Sequence, residues 1–67
     1  MTVLEKAKSR GITQAWLIVQ LRNRGIGINV ADMSRIMHGV LDTPEARLIL
    51  RECENIIAER DARHKGA

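Results

Sequence analysis

The sequence predicts an all-α domain of four helices, and three observations lead to that prediction. It contains neither Tyr nor Phe and no sustained alternation of apolar and polar residues, so the usual signs of strands are absent. Three helix-start signals, each followed by a glycine stop, occur within the first 39 residues. A chain of 67 residues forms one domain at most. We therefore expect residues 1–67 to fold as one small helical domain.

The first two helices each begin at a threonine. Thr2 is the predicted N-cap of a helix that runs to about Arg10, and Gly11 can end it in the left-handed conformation. Thr13 is the predicted N-cap of the second helix, which ends before Gly25. Helical spacing gives the inward side chains as Val3, Leu4 and Ala7 in the first helix and Leu17, Ile18 and Leu21 in the second.

The third helix begins at Asn29 and closes at Gly39. Asn29 is the predicted cap, and Asp32 can reach back to its amide as a variant capping box. Met33, Ile36 and Met37 are expected to face inward. The connection from the second helix is then residues 25–29, since the basic segment before Gly25 belongs to the second helix.

The fourth helix is the longest and covers about residues 43–63. It begins at Asp42 or Thr43, with Pro44 in the first turn, where the missing N–H costs nothing. Leu48 lies away from its apolar stripe. The stripe consists of Ala46, Ile49, Leu50, Cys53, Ile56 and Ile57.

Composition excludes several classes of protein. One cysteine rules out an internal disulfide and fits a reducing, cytoplasmic setting, and Cys53, His38 and His64 lack zinc-ligand spacing. The longest apolar run, residues 15–19, is far too short to span a membrane, and the N-terminus is too polar for a signal peptide. No phosphate-binding loop precedes a lysine, and no nucleophile has an evident base. We expect no enzyme activity, cofactor, metal or small-molecule substrate.

The positive charge is concentrated in the N-terminal half. Residues 1–35 contain six basic and two acidic side chains, a net charge of +4, whereas residues 36–67 contain five basic and six acidic ones, a net charge of −1. Such a distribution is expected of a phosphate-binding surface. The alternative is a solvated basic face without a partner.

Two segments carry a resemblance to a known family. "GITQAWLIVQL", residues 11–21, resembles the first motif helix of the lambda-repressor-like, Cro/CI-type regulators of phages and mobile elements. The shared positions are Gly11, Ile12, Thr13, Gln14, Leu17 and Leu21. "MSRIMHG", residues 33–39, is similar to the end of that family's recognition helix. Two features depart from the pattern: Ile18 replaces a small alanine, and the inter-helix region is about five residues longer than in the family.

The resemblance implies a lambda-repressor-like helix-turn-helix over about residues 13–39 and a sequence-specific transcriptional regulator that binds double-stranded DNA. The third helix would enter the major groove, with Arg35 as the best reader of guanine. The implied base contacts are Asn29, Val30, Ala31, Ser34, Arg35 and His38. The implied phosphate contacts are Thr13, Gln14, Arg22 and Arg24.

Each of these assignments has an alternative. Thr13 and Asn29 can serve as caps alone, and His38 can be a helix-end residue stabilised by the dipole. Trp16 can cover the core or lie at a partner surface. The whole domain can instead be a helix-turn-helix-shaped protein-interaction module, a phage-type adaptor or inhibitor. The long connection and the acidic Asp32 favour that alternative.

A homodimer is also expected. The resemblance implies a twofold dimer on a palindromic site. The core of so short a chain is marginal, and the stripe of the fourth helix is longer than three short helices readily cover. We expect the fourth helix to supply the dimer contact, with Leu48 at its edge and Ile56 nearer its centre.

Overall fold

The computed structural model describes residues 2–65, which form four α-helices and contain no strand. The helices are α1 (Val3–Ser9), α2 (Gln14–Asn23), α3 (Val30–Met37) and α4 (Pro44–Lys65). This confirms the all-α class and the order of the four helices. Residues 1, 66 and 67 of the predicted domain lie outside the described part. Nowhere in residues 2–65 does a helix combine the length and the apolarity that a membrane span requires.

Side-chain caps set the helix starts. The Thr2 hydroxyl oxygen accepts a hydrogen bond from the Glu5 N–H at 3.1 Å, as expected of an N-cap. At α4, where the sequence left Asp42 and Thr43 open, the Thr43 hydroxyl oxygen accepts from the Ala46 N–H at 3.1 Å. Thr43 is therefore the residue that caps α4.

Glycines set the ends of the first three helices. Gly11, Gly25 and Gly39 have φ angles of 69°, 85° and 75°, the left-handed region that side chains with a Cβ rarely adopt. After α2, the Ile26 N–H donates to the Leu21 carbonyl at 2.9 Å, the long hydrogen bond of a Schellman ending. Ile26 then packs against the core.

The core lies between α4 and the other three helices. α4 contacts all of them, and α2 also contacts α3. The largest fully buried side chains are Leu17, Leu21, Met33 and Cys53. Burying a leucine or methionine side chain such as these stabilises the fold by about 1.5–3 kcal/mol. Trp16 is half-buried and packs against this cluster, which supports the core-covering alternative for it.

The apolar stripe of α4 is buried or half-buried in this core. Ala46, Cys53, Ile56 and Ile57 are buried, and the two remaining members of the stripe are half-buried. Ile56 is only 2% exposed, so the expectation that it contributes to a dimer surface is corrected. Leu48, at 60% exposed, does lie on the surface. The three short helices thus cover more of α4 than the sequence suggested.

Candidate nucleic-acid interface

α3 has one buried and one exposed face. Met33, Ile36 and Met37 are at most 7% exposed and hold the helix against the body of the domain. The side chains predicted to contact bases share the other side, from the N-cap to the C-cap. Asn29, Val30, Ala31, Arg35 and His38 are exposed, and Ser34 is half-buried. The fold therefore brings the six predicted residues together on one outward surface, which we call the α3 face.

The N-terminal end of the α3 face is held by three connected polar side chains. The Asn29 Oδ1 accepts from the Asp32 N–H at 2.7 Å, which confirms Asn29 as the cap. The Asn29 Nδ2 donates to the Asp32 Oδ2 at 3.3 Å. The Arg35 Nη1 donates to the other oxygen of that carboxylate, Oδ1, at 3.2 Å.

Two details of this network differ from expectation. Asp32 was predicted to accept from the backbone amide of the cap residue, but its carboxylate accepts from the Asn29 side-chain amide instead. The pairing of Asp32 with Arg35 was not predicted. The sequence did contain its signal, because an acidic and a basic residue three positions apart on a helix are neighbours.

The start of α2 supplies two further predicted residues. The Thr13 hydroxyl oxygen accepts from the Trp16 N–H at 3.1 Å, so its capping role is confirmed. In none of the hydrogen bonds among residues 2–65 does this hydroxyl donate, and its proton can still meet a phosphate oxygen. Gln14 follows in the first turn and is half-buried. Phosphate contact by these two residues stays a prediction.

Arg22 lies beside the α3 face. Its side chain is exposed and lines an open surface cleft together with Asn29 and Asp32. Within residues 2–65 it forms no ion pair, although Glu45, which also forms none, lines the same cleft. Its charge is therefore available to an anion at the N-terminal end of α3.

Arg24 is placed differently. Its Nη1 donates to the Glu52 carboxylate at 3.1 Å, and its Nη2 donates to Glu59 at 2.6 Å. These hydrogen bonds raise the pKa of the Arg24 guanidinium, and the bond from Arg24 lowers the pKa of the Glu59 carboxyl. Arg24 thus joins the end of α2 to α4, which counts against the phosphate contact predicted for it. Glu52 and Glu59 lie 28 and 35 residues after Arg24, so spacing along the chain did not indicate this pairing.

The same kind of pairing reduces the positive field of the N-terminal half. Lys6 on α1 pairs with Glu54 at 3.5 Å, and Arg10, just after α1, pairs with Asp61 at 2.8 Å. Together with Arg24, half of the six basic residues in the first 35 positions are matched by carboxylates of α4. Arg35 on the α3 face and Arg22 beside it are not matched by carboxylates of α4.

No protein-family model matches the chain, and neither the curated proteins nor the solved structures contain a significant match to it. The resemblance to lambda-repressor-like regulators therefore remains a prediction from the residues that carry it.

Proposed function

We propose that the chain is a sequence-specific DNA-binding transcriptional regulator that inserts the α3 face into the major groove. The supporting observation is the division of α3 into two faces: Met33 and Ile36 are at most 2% exposed, whereas Val30 is 67% exposed. A surface helix fixed along one side and exposed along the other is the element that reads DNA in helix-turn-helix domains. The reducing, cytoplasmic setting expected from Cys53 belongs to this proposal.

The side chains of the α3 face have distinct roles in this proposal. The Arg35 guanidinium donates to O6 and N7 of a guanine, and Val30 or Ala31 contacts a thymine methyl group. Ser34 and His38 contact bases or phosphates farther along the groove. Thr13 and Arg22 contact the phosphate backbone, which adds affinity without sequence information.

Selection of bound sites from a random duplex pool tests the proposal. We expect enrichment of a short sequence containing a guanine that Arg35→Ala no longer requires. Arg22→Ala should weaken all sequences alike and make binding less dependent on salt, since it removes one phosphate contact. A pool that shows no enrichment with the unmutated chain would contradict specific DNA binding.

A protein-interaction module is the second candidate, and the pairing of Lys6, Arg10 and Arg24 with α4 favours it. These pairs leave fewer basic groups for phosphate than the sequence suggested. Binding to random duplex separates the two candidates, because phosphate binding weakens steeply as salt rises. Absence of duplex binding at low salt would favour the interaction module.

The homodimer is part of the proposal, and its contact is centred on Leu48. This side chain borders an open cleft of about 450 Å³ on the surface of α4. Ile26, Gly27 and Ile49 line the same cleft. A Cβ added at Gly27 would meet nothing within 4 Å, so this side of the cleft is open. In a twofold contact, each Leu48 can enter the cleft of the other copy.

The charges beside Leu48 favour a second copy of this chain as the occupant. Glu45 lies three residues before Leu48 and Arg51 three residues after it, and both are exposed and line the cleft. Neither forms an ion pair within residues 2–65. If two α4 helices cross antiparallel at Leu48, twofold symmetry places each Glu45 opposite the other copy's Arg51.

Charge exchange tests this contact by sedimentation without DNA. We expect a dimer at micromolar concentration, a lower mass for Glu45→Arg or Arg51→Glu, and recovery of the dimer in the double variant. Only a contact between these two residues predicts that recovery. A monomeric parent chain at high concentration would contradict the dimer, and equal loss in the single and double variants would contradict the Glu45–Arg51 pairing.

A further inference from the structure

Asp32 places a negative charge on the helix that we propose binds DNA. Its carboxylate lies on α3 and is bound to Arg35, and Asp32 lines the same cleft as Arg22, on the side that would approach phosphates. A negative charge there repels DNA, and capping does not require it, because the cap bond uses only the Asp32 backbone N–H. The two carboxylate oxygens are bound to neighbours on either side: Oδ2 to Asn29 and Oδ1 to Arg35.

We infer that Asp32 is a specificity-determining positioning residue that holds the Arg35 guanidinium in the orientation in which it reads a base. The inference rests on the proposed DNA-binding function. The α3 N-cap fixes Asn29, Asn29 fixes the Asp32 carboxylate, and that carboxylate fixes Arg35. A long arginine side chain, 60% exposed here, is thereby tied to the rigid start of its own helix.

The chemistry of the guanidinium leaves room for this double use. Arginine has five N–H donors in a planar fork, and Asp32 takes one through Nη1. The remaining donors can still form the two parallel hydrogen bonds that a guanine edge accepts. Holding the fork before binding reduces the entropy that is lost when the base contact forms.

The negative charge of Asp32 also favours specific over random binding. On random sequence Arg35 finds no guanine, and the carboxylate remains close to phosphates that repel it. On the preferred site the Arg35–base contact offsets that repulsion. Asp32 therefore lowers affinity for random duplex while it supports the specific contact, and specificity is the difference between the two affinities.

Asp32→Asn separates these effects, because it removes the charge and retains the shape and the backbone cap bond. We expect affinity for random duplex to rise about twofold, the scale of a screened interaction between exposed charges. We expect the ratio of specific to random affinity to fall about two- to fivefold, the scale of an exposed ion pair. A residue that only stabilised the helix would lower both affinities together.

Three controls complete the experiment. Glu5→Gln removes the same charge from α1 and should leave base preference unchanged. Arg35→Lys keeps the charge and loses the fork, so base preference should fall while affinity for random duplex is kept. In the Arg35→Ala background, Asp32→Asn should no longer alter base preference. Circular dichroism must show that each variant remains helical.

The outcomes distinguish this inference from the proposed function. If the parent chain selects no site, the DNA-binding proposal and the positioning role fall together. If the parent selects a site and Asp32→Asn leaves the affinity ratio unchanged, only the positioning role is overturned. An effect of Asp32→Asn that persists without Arg35 would also overturn it, since Asp32 would then contact the DNA itself.

Discussion

α3 and α4 both bury an apolar stripe, but their charged side chains find partners in different places. On α3, Asp32 pairs within one turn with Arg35, which lies on the α3 face. On α4, Glu54 pairs with Lys6 and Glu59 pairs with Arg24, so these carboxylates reach other helices. These pairs of α4 therefore connect elements of the fold, whereas the Asp32–Arg35 pair of α3 stays within one helix.

This difference shows which features locate a candidate site in so small a protein. Burial alone does not separate the helices, since Met33 on α3 and Cys53 on α4 are both fully buried. The two helices differ instead in how far apart in sequence the partners of their ion pairs lie. In this molecule the pairs that join distant parts of the chain lie on the side that maintains the fold, and the Asp32–Arg35 pair lies on the side that we propose binds DNA.

Ile56→Asp should have the largest effect on stability, because it places a charge on the buried side of α4. The side chain is 2% exposed, and an unpaired carboxylate there costs on the order of 3–5 kcal/mol, most of the stability of a chain this size. We expect loss of helical circular dichroism at 25 °C. Leu48→Asp, on the exposed side of the same helix, is the matched control and should remain folded. A folded Ile56→Asp variant would mean that the core of α4 is less tightly closed than described.

Arg35→Ala tests the exposed side of α3. It should lower affinity for the selected DNA site by about 1–3 kcal/mol, the value of one good bidentate base contact. The thermal midpoint should stay close to that of the parent, because Arg35 contacts only its own helix. Titration of labelled duplex and a thermal melt measure the two quantities. A large fall in the melting temperature would place Arg35 among the residues that maintain the fold.

Cys53 gives a pH-dependent measure of the buried side. Burial, with a smaller contribution from Glu52, raises the pKa of this thiol to about 11. At pH 8 the folded chain should therefore react with a thiol reagent much more slowly than the unfolded chain. Stability should fall as the pH rises from about 9 to about 11, since over that range the unfolded chain loses the proton and the folded chain keeps it.

Cys53→Ala is the control for the alkaline measurement. Its stability should decline less over the same pH range, because it lacks the buried thiol. Parallel declines in the two proteins would show that other groups cause the loss.

Arg24→Gln should have the smallest effect on stability, and this effect should disappear in acid. The variant loses the bonds to Glu52 and Glu59, so its thermal midpoint at pH 7 should be a few degrees lower, as exposed ion pairs contribute little. The pKa of Glu59 is lowered by Arg24, so this stabilisation is present above the ordinary carboxyl range and is lost as the pH falls through the folded value. Midpoints of variant and parent should converge once the pH is well below the ordinary carboxyl range. A constant difference would exclude the ion pairs as the cause.

Local features of the fold were predictable from sequence because their causes are local. Thr13 and Asn29 cap with side chains that reach amides three residues on, and Gly25 adopts a φ that few other residues tolerate. The α3 face follows from helical spacing once Met33 and Ile36 are placed inward. Each of these inferences needs only a few neighbouring residues.

The features that sequence reasoning missed depend on how the helices pack. Arg24 was expected to contact phosphate because the family resemblance implied a backbone contact there, yet α4 brings Glu59 within 2.6 Å of it. Ile56 was expected near a surface because the stripe of α4 looked too long for its partners. Only the angles between the helices determine how much of that stripe is covered, and spacing along the chain does not contain them.

The contacts of α4 with all three preceding helices have a consequence for how the protein is made. A ribosome completes α1, α2 and α3 before the side chains that hold them together have been synthesised. Until Cys53 and Ile57 have left the exit tunnel, the earlier helices lack the one helix that contacts all three of them, and Lys6, Arg10 and Arg24 lack the carboxylates that match them. Folding during synthesis therefore waits for α4, and the nascent segment before α4 is more basic and more exposed than the folded domain.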